Sequence, residues 1–414
     1  MTTEIEAVRN QIASDRGENK LIRGDELPNA CFLPTGIFIL DLMMLGGFHD
    51  GRAALIYGVE GSGKSTLGYM GLAAAQRKYP ESHVVLLDFE HMYEKQWFEK
   101  CGGDPSRLEL IQPEFGEEGI DMAMAFLDAE ETSALMVDSV ATIVPKKMDD
   151  RSVEDYGTGE RARLAGLMCN KILTSWSRER ARGHRCSVFL INQYRDDIGK
   201  MMGDPRKLPG GWQINYFAKT RLQMKNRRKD GENARGMKIP DHNLHTATLT
   251  KDKGASLMSG EFKINLNPDH PRGIAIGAVD DLATVGTYAK RMGFITGGGQ
   301  AWRLTGVERM IDPATPNGKK IYDPLLETDE AIQAYNLKDD DALSAADKWE
   351  TMLGDWEREE RKFRLLVDIE DYLYEHPAEA LRLKQLILID MRTSLNMPPL
   401  PPDGYLLDWA EIED

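Results

Sequence analysis

Cysteine is scarce in this 414-residue chain. The four that occur, Cys31, Cys101, Cys169 and Cys186, lie far apart, with no C-x-x-C pair and no Cys/His cluster. That spacing excludes a disulfide-framework fold and a zinc ribbon, and buried free thiols are the expectation. No apolar run reaches the length of a bilayer span, so no membrane role is expected. Residues 1–30 lack the pattern of a secretory leader, which makes the cytoplasm the expected location. Internal repeats of the solenoid kind are also missing. Positive charge is short overall, with a net charge of −15, but the deficit is local. Residues 311–414 hold 25 acidic side chains against 11 basic ones and carry nearly all of it. Within Lys200–Lys229 the balance reverses, with Lys200, Arg206, Lys207, Lys219, Arg221, Lys225, Arg227, Arg228 and Lys229 against the single acid Asp204. Such a run is ordinarily a solvated face. Beside a glycine-containing loop, contact with a phosphate backbone is the alternative.

What is present is a glycine-rich turn behind an apolar run. Gly58 to Ser65 fits the P-loop pattern G-x-x-x-x-G-K-[ST]. Its residues Gly58, Glu60, Gly61, Ser62, Gly63, Lys64, Ser65 and Thr66 form a candidate nucleotide cradle. Glycines let backbone N–H groups turn toward a phosphate, Lys64 brings a positive charge to the outer phosphates, and the Ser65 hydroxyl suits Mg²⁺. A helix from Thr66 to Lys78 would add its N-terminal dipole.

Buried strands and helices alternate beyond it. Val84–His91 is a continuous apolar strand ending in acids, Ala134–Ser139 closes the same way, Leu108–Gln112 reads as a further strand, and Cys186–Gln193 as a buried strand ending in two amides; the profile suits strands buried on both faces of a parallel sheet. Helices are expected over 94–100, 119–129 and 161–182. The reading is an α/β fold with a mostly parallel central sheet. Asp138, at a strand end, is a candidate for the Mg²⁺ shell or, as the plainer alternative, a helix cap. Residues 145–160 and 194–211 read as long surface loops. The second holds Ile198, Met201 and Met202 among its cations, which suits wedging between bases or folding back onto the core. A short amphipathic helix over 1–16, carrying Ile5, Val8 and Ile12, is expected to dock on something. Residues 241–266 read as two β segments. The acidic end is expected to be helix-rich, with helices over 345–352, 357–375 and 378–393 before a Pro-rich break at 398–402.

This ordered set resembles the bacterial RecA recombinase family over roughly residues 33–305. The resemblance rests on the P-loop, on Asp88-Phe89-Glu90-His91, on Val137-Asp138-Ser139-Val140-Ala141, on Leu190-Ile191-Asn192-Gln193, and on a loop keeping Arg195, Ile198-Gly199, Gly203 and Pro205 before Gly210-Gly211. It implies a RecA-like P-loop core at 34–305, an N-terminal helix and linker at 1–33 that contacts a neighbouring protomer, and an acidic helical domain and tail at 306–414. It implies ATP with Mg²⁺ held by Ser65 and Asp138, Glu90 orienting the attacking water, and Gln193 sensing the γ-phosphate. Trp97 matches the aromatic that stacks on adenine. Lys251 and Lys253 match lysines that reach a neighbour's γ-phosphate, with Tyr216 in the same interface. Arg163, Arg195, Ile198, Gly199, Lys200, Met201, Arg206, Lys207, Gly210 and Gly211 match the DNA-facing surface. The sequence departs from the family at Gly61, at Gly166 and Asn170 where the family has Ser and Arg, and in an insertion near 175–184. Those departures mark a divergent member and suit a phage-encoded one.

The implied function is an ATP-dependent recombinase that forms homo-oligomeric helical filaments on single-stranded DNA and exchanges strands with double-stranded DNA. Single-strand-binding or loader proteins are the implied accessory partners. The competing readings are a ring helicase built on the same core and a filament protein that binds nucleotide without hydrolysis.

Overall fold

The computed structural model describes residues 4–16, 31–148, 158–182, 186–196, 206–232, 238–252 and 259–304, then 310–311, 321–322, 357–358, 361–395 and 397. Ile198, Gly199, Lys200, Met201 and Lys253 lie outside these residues, as do most of the 145–160 loop, the helix expected over 345–352 and the Pro-rich break.

The described chain divides into two compact units between Val279 and Asp280. In the first, helix α1 (Glu4–Arg16) leaves Ile5, Val8 and Ile12 exposed. Strand β1 (Phe32–Leu33) pairs antiparallel with β2 (Phe48–His49), and helix α2 (Phe38–Met44) lies between them with every residue buried. Strand β3 (Ala53–Gly58) leads into α3 (Lys64–Lys78), and β4 (His83–Asp88) into α4 (Lys95–Lys100). Next come β5 (Leu108–Ile111), α5 (Gly116–Leu127), β6 (Thr132–Asp138), α6 (Thr158–Arg182) and β7 (Ser187–Gln193). Two-residue strands β8 (Arg195–Asp196) and β9 (Arg206–Lys207) pair with each other. After α7 (Gly211–Phe217) come the long antiparallel partners β10 (Thr220–Glu232) and β11 (Lys238–Lys251), then β12 (Ser259–Asn265) and β13 (Val279–Asp280).

These strands build one sheet in the order β13-β12-β11-β10-β3-β7-β6-β4-β5. From β10 through β5 every neighbour pair is parallel. Parallel strands need covering on both faces, and the central runs are accordingly apolar at every position. One face packs Leu55, Val85, Leu87, Leu135, Val137 and Leu190 under α5 and α6. On the other face α3 comes close because Gly68 and Gly71 meet Met136 and the Phe189 ring, where an added Cβ would approach to 2.7 Å. Among the described residues, no helix is long and apolar enough to cross a membrane.

The second unit begins earlier than the expected domain start at 306. Helix α8 (Leu282–Arg291) and the hairpin of β14 (Ile295–Gly298) and β15 (Ala301–Leu304) pack with chain from residue 361 onward. Three short strands, β16 (Met310–Ile311), β17 (Ile321–Tyr322) and β18 (Glu357–Arg358), form a small sheet. Strand β19 (Arg361–Phe363) pairs with β15. Helices α9 (Leu366–Glu375) and α10 (Pro377–Ser394) cover α8, burying Val285, Ala289, Ile369, Leu373, Leu383 and Ile387. The single helix expected over 357–375 is therefore two strands and a shorter helix, because pairing of Trp302 with Phe363 overrides local helical propensity.

Candidate nucleotide site and nucleic-acid face

Parallel register aligns the polar strand ends. Gly58 is opposite Gln193, and Asp88 is opposite Asp138, so the loop and the candidates Asp138 and Gln193 share the C-terminal edge of the sheet with Asp88. This is where an open α/β sheet places a ligand crevice.

The phosphate loop joins β3 to α3. Gly58 is required there because a Cβ would lie 2.1 Å from the Met224 carbonyl of β10. Gly61 and Gly63 take φ values of 67° and 85°, the left-handed region that side-chain-bearing residues avoid. Carbonyls of the loop are engaged. Val59 O accepts from Ser62 Oγ and from Lys64 Nζ, both at 2.7 Å. Gly61 O accepts from Asn226 Nδ2 at 2.7 Å, and Ser62 O accepts from His245 Nδ1 at 3.1 Å. With those oxygens drawn off, N–H groups can turn toward an anion. Lys64 is 5 % exposed, and burial lowers its pKa although Asp138, Glu90 and Glu60 favour its charge.

Asp138 is 7 % exposed, and burial raises its carboxyl to about 6 against the hydroxyl of Ser65, which donates to it; Glu90 and Asp88 raise it further, while Lys64 lowers it. Its Oδ1 is buried without a hydrogen-bond partner. An unsatisfied buried carboxylate oxygen beside a hydroxyl is a donor set that fits a hard divalent cation such as Mg²⁺. Glu90 and Gln193, distant in sequence, meet through Gln193 Nε2 donating to Glu90 Oε1 at 2.8 Å. Asp88 stiffens the turn carrying Glu90 by accepting from the backbone N–H groups of Glu90 and Tyr93, each at 3.1 Å, and from Gln112 Nε2 at 3.0 Å. Trp97 donates through its indole N–H to Thr66 Oγ1 at 3.1 Å, which leans the ring toward the first turn of α3. Gly277 lies against that ring, with a Cβ position 3.1 Å from it.

Lys251 is not among these groups. Its ammonium donates to the carbonyls of Asn215, Tyr216 and Ala218 at 3.1, 3.0 and 2.6 Å, at the C-terminal end of α7. Beside it, Asp252 accepts from Thr220 Oγ1 at 2.7 Å and pairs with His49 Nε2 at 3.2 Å. Tyr216 is 76 % exposed, next to Trp212 at 77 %, their rings 6.5 Å apart.

On the prospective DNA side, Arg163 is exposed on the first turns of α6. Gly166 and Asn170 face Gln213 of α7. Gln213 Nε2 donates to Asn170 Oδ1 at 2.6 Å, and a Cβ on Gly166 would meet Gln213 Oε1 at 2.5 Å. The two departures on α6 are thus accommodated together by one glutamine. Arg195 donates to the Ala141 carbonyl at 2.8 Å, and it pairs with Lys207 across β8 and β9 as Asp196 does with Arg206. Gly210 and Gly211 take φ of 91° and 75° at the start of α7. Tyr194, between Gln193 and Arg195, is held by an edge contact with Tyr57, ring centroids 5.7 Å apart, and by Gln223 Nε2 donating to its hydroxyl at 2.7 Å.

The structure therefore brings Lys64, Ser65, Asp138, Glu90 and Gln193 to one edge and sets Trp97 beside it, while Lys251 and Tyr216 lie at α7. Sequence reading missed Asn226, His245 and Gly277, because nothing local to them signals that β10 lies beside β3 or that the 277 turn reaches Trp97.

A family model described as the RecA N-terminal domain matches residues 3–255. A RecA protein of Aquifex pyrophilus is 32% identical over 194 residues, 47% of this chain and 54% of the relative. One of Clostridium acetobutylicum is 31% identical over 224 residues, 53% of this chain and 62% of the relative. Another, of Streptomyces avermitilis, is 31% identical over 237 residues, 56% and 61% of the two chains. The chain thus spans between 54% and 62% of the length of these relatives.

Proposed function

Because the chain belongs to the RecA family, we propose that it is a DNA-dependent ATPase that forms helical filaments on single-stranded DNA and promotes homologous pairing and strand exchange. The observation that carries the reading is the 2.8 Å hydrogen bond between Gln193 and Glu90. It joins the residue that would orient water to the strand leading into the basic loop, so nucleotide state and DNA contact share one element.

In this reading the loop N–H groups and Lys64 bind the phosphates, and the Trp97 ring, backed by Gly277, takes the base. Ser65 and Asp138 would hold Mg²⁺, whose charge offsets that of the outer phosphates. Glu90 orients water for in-line attack on the γ-phosphorus and accepts its proton as the bond to the bridging oxygen breaks, releasing ADP and phosphate. Lys251 and Lys253 of one protomer add positive charge at the γ-phosphate of the next, so hydrolysis requires assembly. Arg163 and the cations of the 194–211 loop neutralise DNA phosphates, and the apolar residues of that loop contact bases.

Electron microscopy of the full chain with single-stranded DNA and a slowly hydrolysed ATP analogue tests the assembly. Open helical filaments support the proposal, and closed rings replace it with a ring motor. In ATPase assays, Gln193→Ala is expected to abolish stimulation by DNA while the protein retains nucleotide binding. Full stimulation in that variant would remove the coupling role of Gln193.

A further inference from the structure

A phosphate loop binds anions only if its peptide planes are turned the right way. Each N–H that points into the cradle obliges the carbonyl on the same peptide plane to point out of it, and a buried outward carbonyl needs a donor. Here two outward carbonyls, one exposed at Gly61 and one on buried Ser62, take donors from the antiparallel half of the sheet. Asn226 of β10 donates to Gly61 O at 2.7 Å, and His245 of β11 is 3.1 Å from Ser62 O. A carbonyl only accepts, so the proton of His245 is on Nδ1. The other nitrogen, Nε2, is buried and has no hydrogen-bond partner, which suits a lone pair and not a second N–H. The ring has little freedom to leave this position. It is 3 % exposed, stacks on Phe262 of β12 with centroids 5.1 Å apart and planes 11° from parallel, and lies 3.1 Å from where a Cβ of Gly63 would be.

We propose that Asn226 and His245 are positioning residues of the nucleotide site, which hold the carbonyls of Gly61 and Ser62 outward and so keep the phosphate loop in its binding shape. This rests on the reading of Gly58–Thr66 as a nucleotide cradle and adds to it a support from the β10–β11 ribbon. The same β11 strand ends at Lys251, whose ammonium grips the last carbonyls of α7. One strand therefore touches the phosphate loop at Ser62 and the prospective protomer interface at Tyr216, and movement at the interface end has a rigid path to the cradle.

The test is equilibrium titration of the full chain with a fluorescent ADP analogue, comparing His245→Ala, His245→Asn, Asn226→Ala and Lys64→Ala. Asparagine can place its amide N–H where His245 has Nδ1–H. Loss of the donor to the carbonyl of buried Ser62 is expected to weaken binding by roughly tenfold in His245→Ala, and loss of the exposed bond to Gly61 O by about threefold in Asn226→Ala, where water can take the place of the amide. His245→Asn is expected to return affinity to near the wild-type value, a rescue that a purely packing role for the ring would not give. Should His245→Ala fail to fold, Asn226→Ala and His245→Asn carry the test, since Asn226 bonds the loop at the surface. Wild-type affinity in His245→Ala and Asn226→Ala alongside loss in Lys64→Ala would overturn the proposal and leave the cradle standing. Unchanged binding in Lys64→Ala would overturn both.

Discussion

Lys251 faces a choice that can be measured. Within the protomer its ammonium donates to three carbonyls, those of Asn215, Tyr216 and Ala218. In the proposed filament the same ammonium reaches the γ-phosphate of a neighbour, and it cannot do both. Replacing Lys251 by Met keeps the aliphatic stem and removes the cation, so the perturbation isolates the cap. A positive charge at a helix C-terminus contributes about 0.3–1 kcal/mol at exposed sites and up to ~2 kcal/mol when partly buried. Hydrogen bonds from a charged donor contribute about 1.5–3 kcal/mol each. Lys251 is half-buried and α7 has only seven residues. Solvent screening and shared geometry bring the expected loss to about 2 kcal/mol of local stability, far below the sum of three separate bonds. Under conditions where reclosing outpaces exchange, that is about a 30-fold faster amide hydrogen exchange in 211–218. The assay is peptide-resolved hydrogen–deuterium exchange on the DNA-free protein, with Ser187–Gln193 as an internal reference expected to stay protected. Unchanged exchange across α7 would refute the cap. With ATP analogue and DNA added, the wild-type protein is expected to lose protection in α7 as Lys251 leaves it.

Other consequences follow from the site. Glu90→Gln keeps the hydrogen bond with Gln193 but removes the base, so kcat is expected to fall by roughly 10²–10⁴-fold with nucleotide affinity unchanged; steady-state ATPase and binding titrations together check it. Trp97→Ala removes the ring between Thr66 and Gly277 and is expected to weaken adenine-nucleotide binding about tenfold, with a smaller effect on inorganic triphosphate. Burial lowers the pKa of His245 below its ordinary value of 6.5. A base whose native pKa is depressed binds fewer protons folded than unfolded, so its contribution is complete above about pH 6.5 and is lost as pH falls from there toward the native value. Denaturation of the wild type and of His245→Asn should therefore run parallel above that pH and diverge below it, with the wild type losing more; parallel curves throughout would count against the reasoning.

The legible part of this fold was the part whose burial is symmetric. Strands β3, β4, β6 and β7 are covered on both faces, so each reads as an unbroken apolar run, and the first polar residue after the run marks the edge where ligands bind. That is why Asp88, Asp138 and Gln193 stand out in the sequence. The resemblance to a family then supplied roles that position alone does not. The antiparallel half was legible only as β segments. His245 is one polar residue among several in β11, and its meeting with Ser62 depends on β10 pairing in parallel with β3, a long-range choice with no local signal. The end of the chain misled for a related reason. Residues 357–375 have helical spacing, yet β19 is drawn into extended form by β15, some 60 residues earlier. The second unit begins at Asp280 because α8 is packed by α9 and α10, which periodicity in α8 alone does not reveal.

The two contacts on Tyr194 bear on how Gln193 and Arg195 can move relative to one another. Tyr57 and Gln223 pin that residue between Gln193, which answers to Glu90, and Arg195, which begins the β8–β9 ladder. A strand fixed at an intermediate point cannot slide past it. In the proposed coupling, a displacement at Gln193 therefore reaches Arg195 as a tilt about Tyr194 and not as a slide.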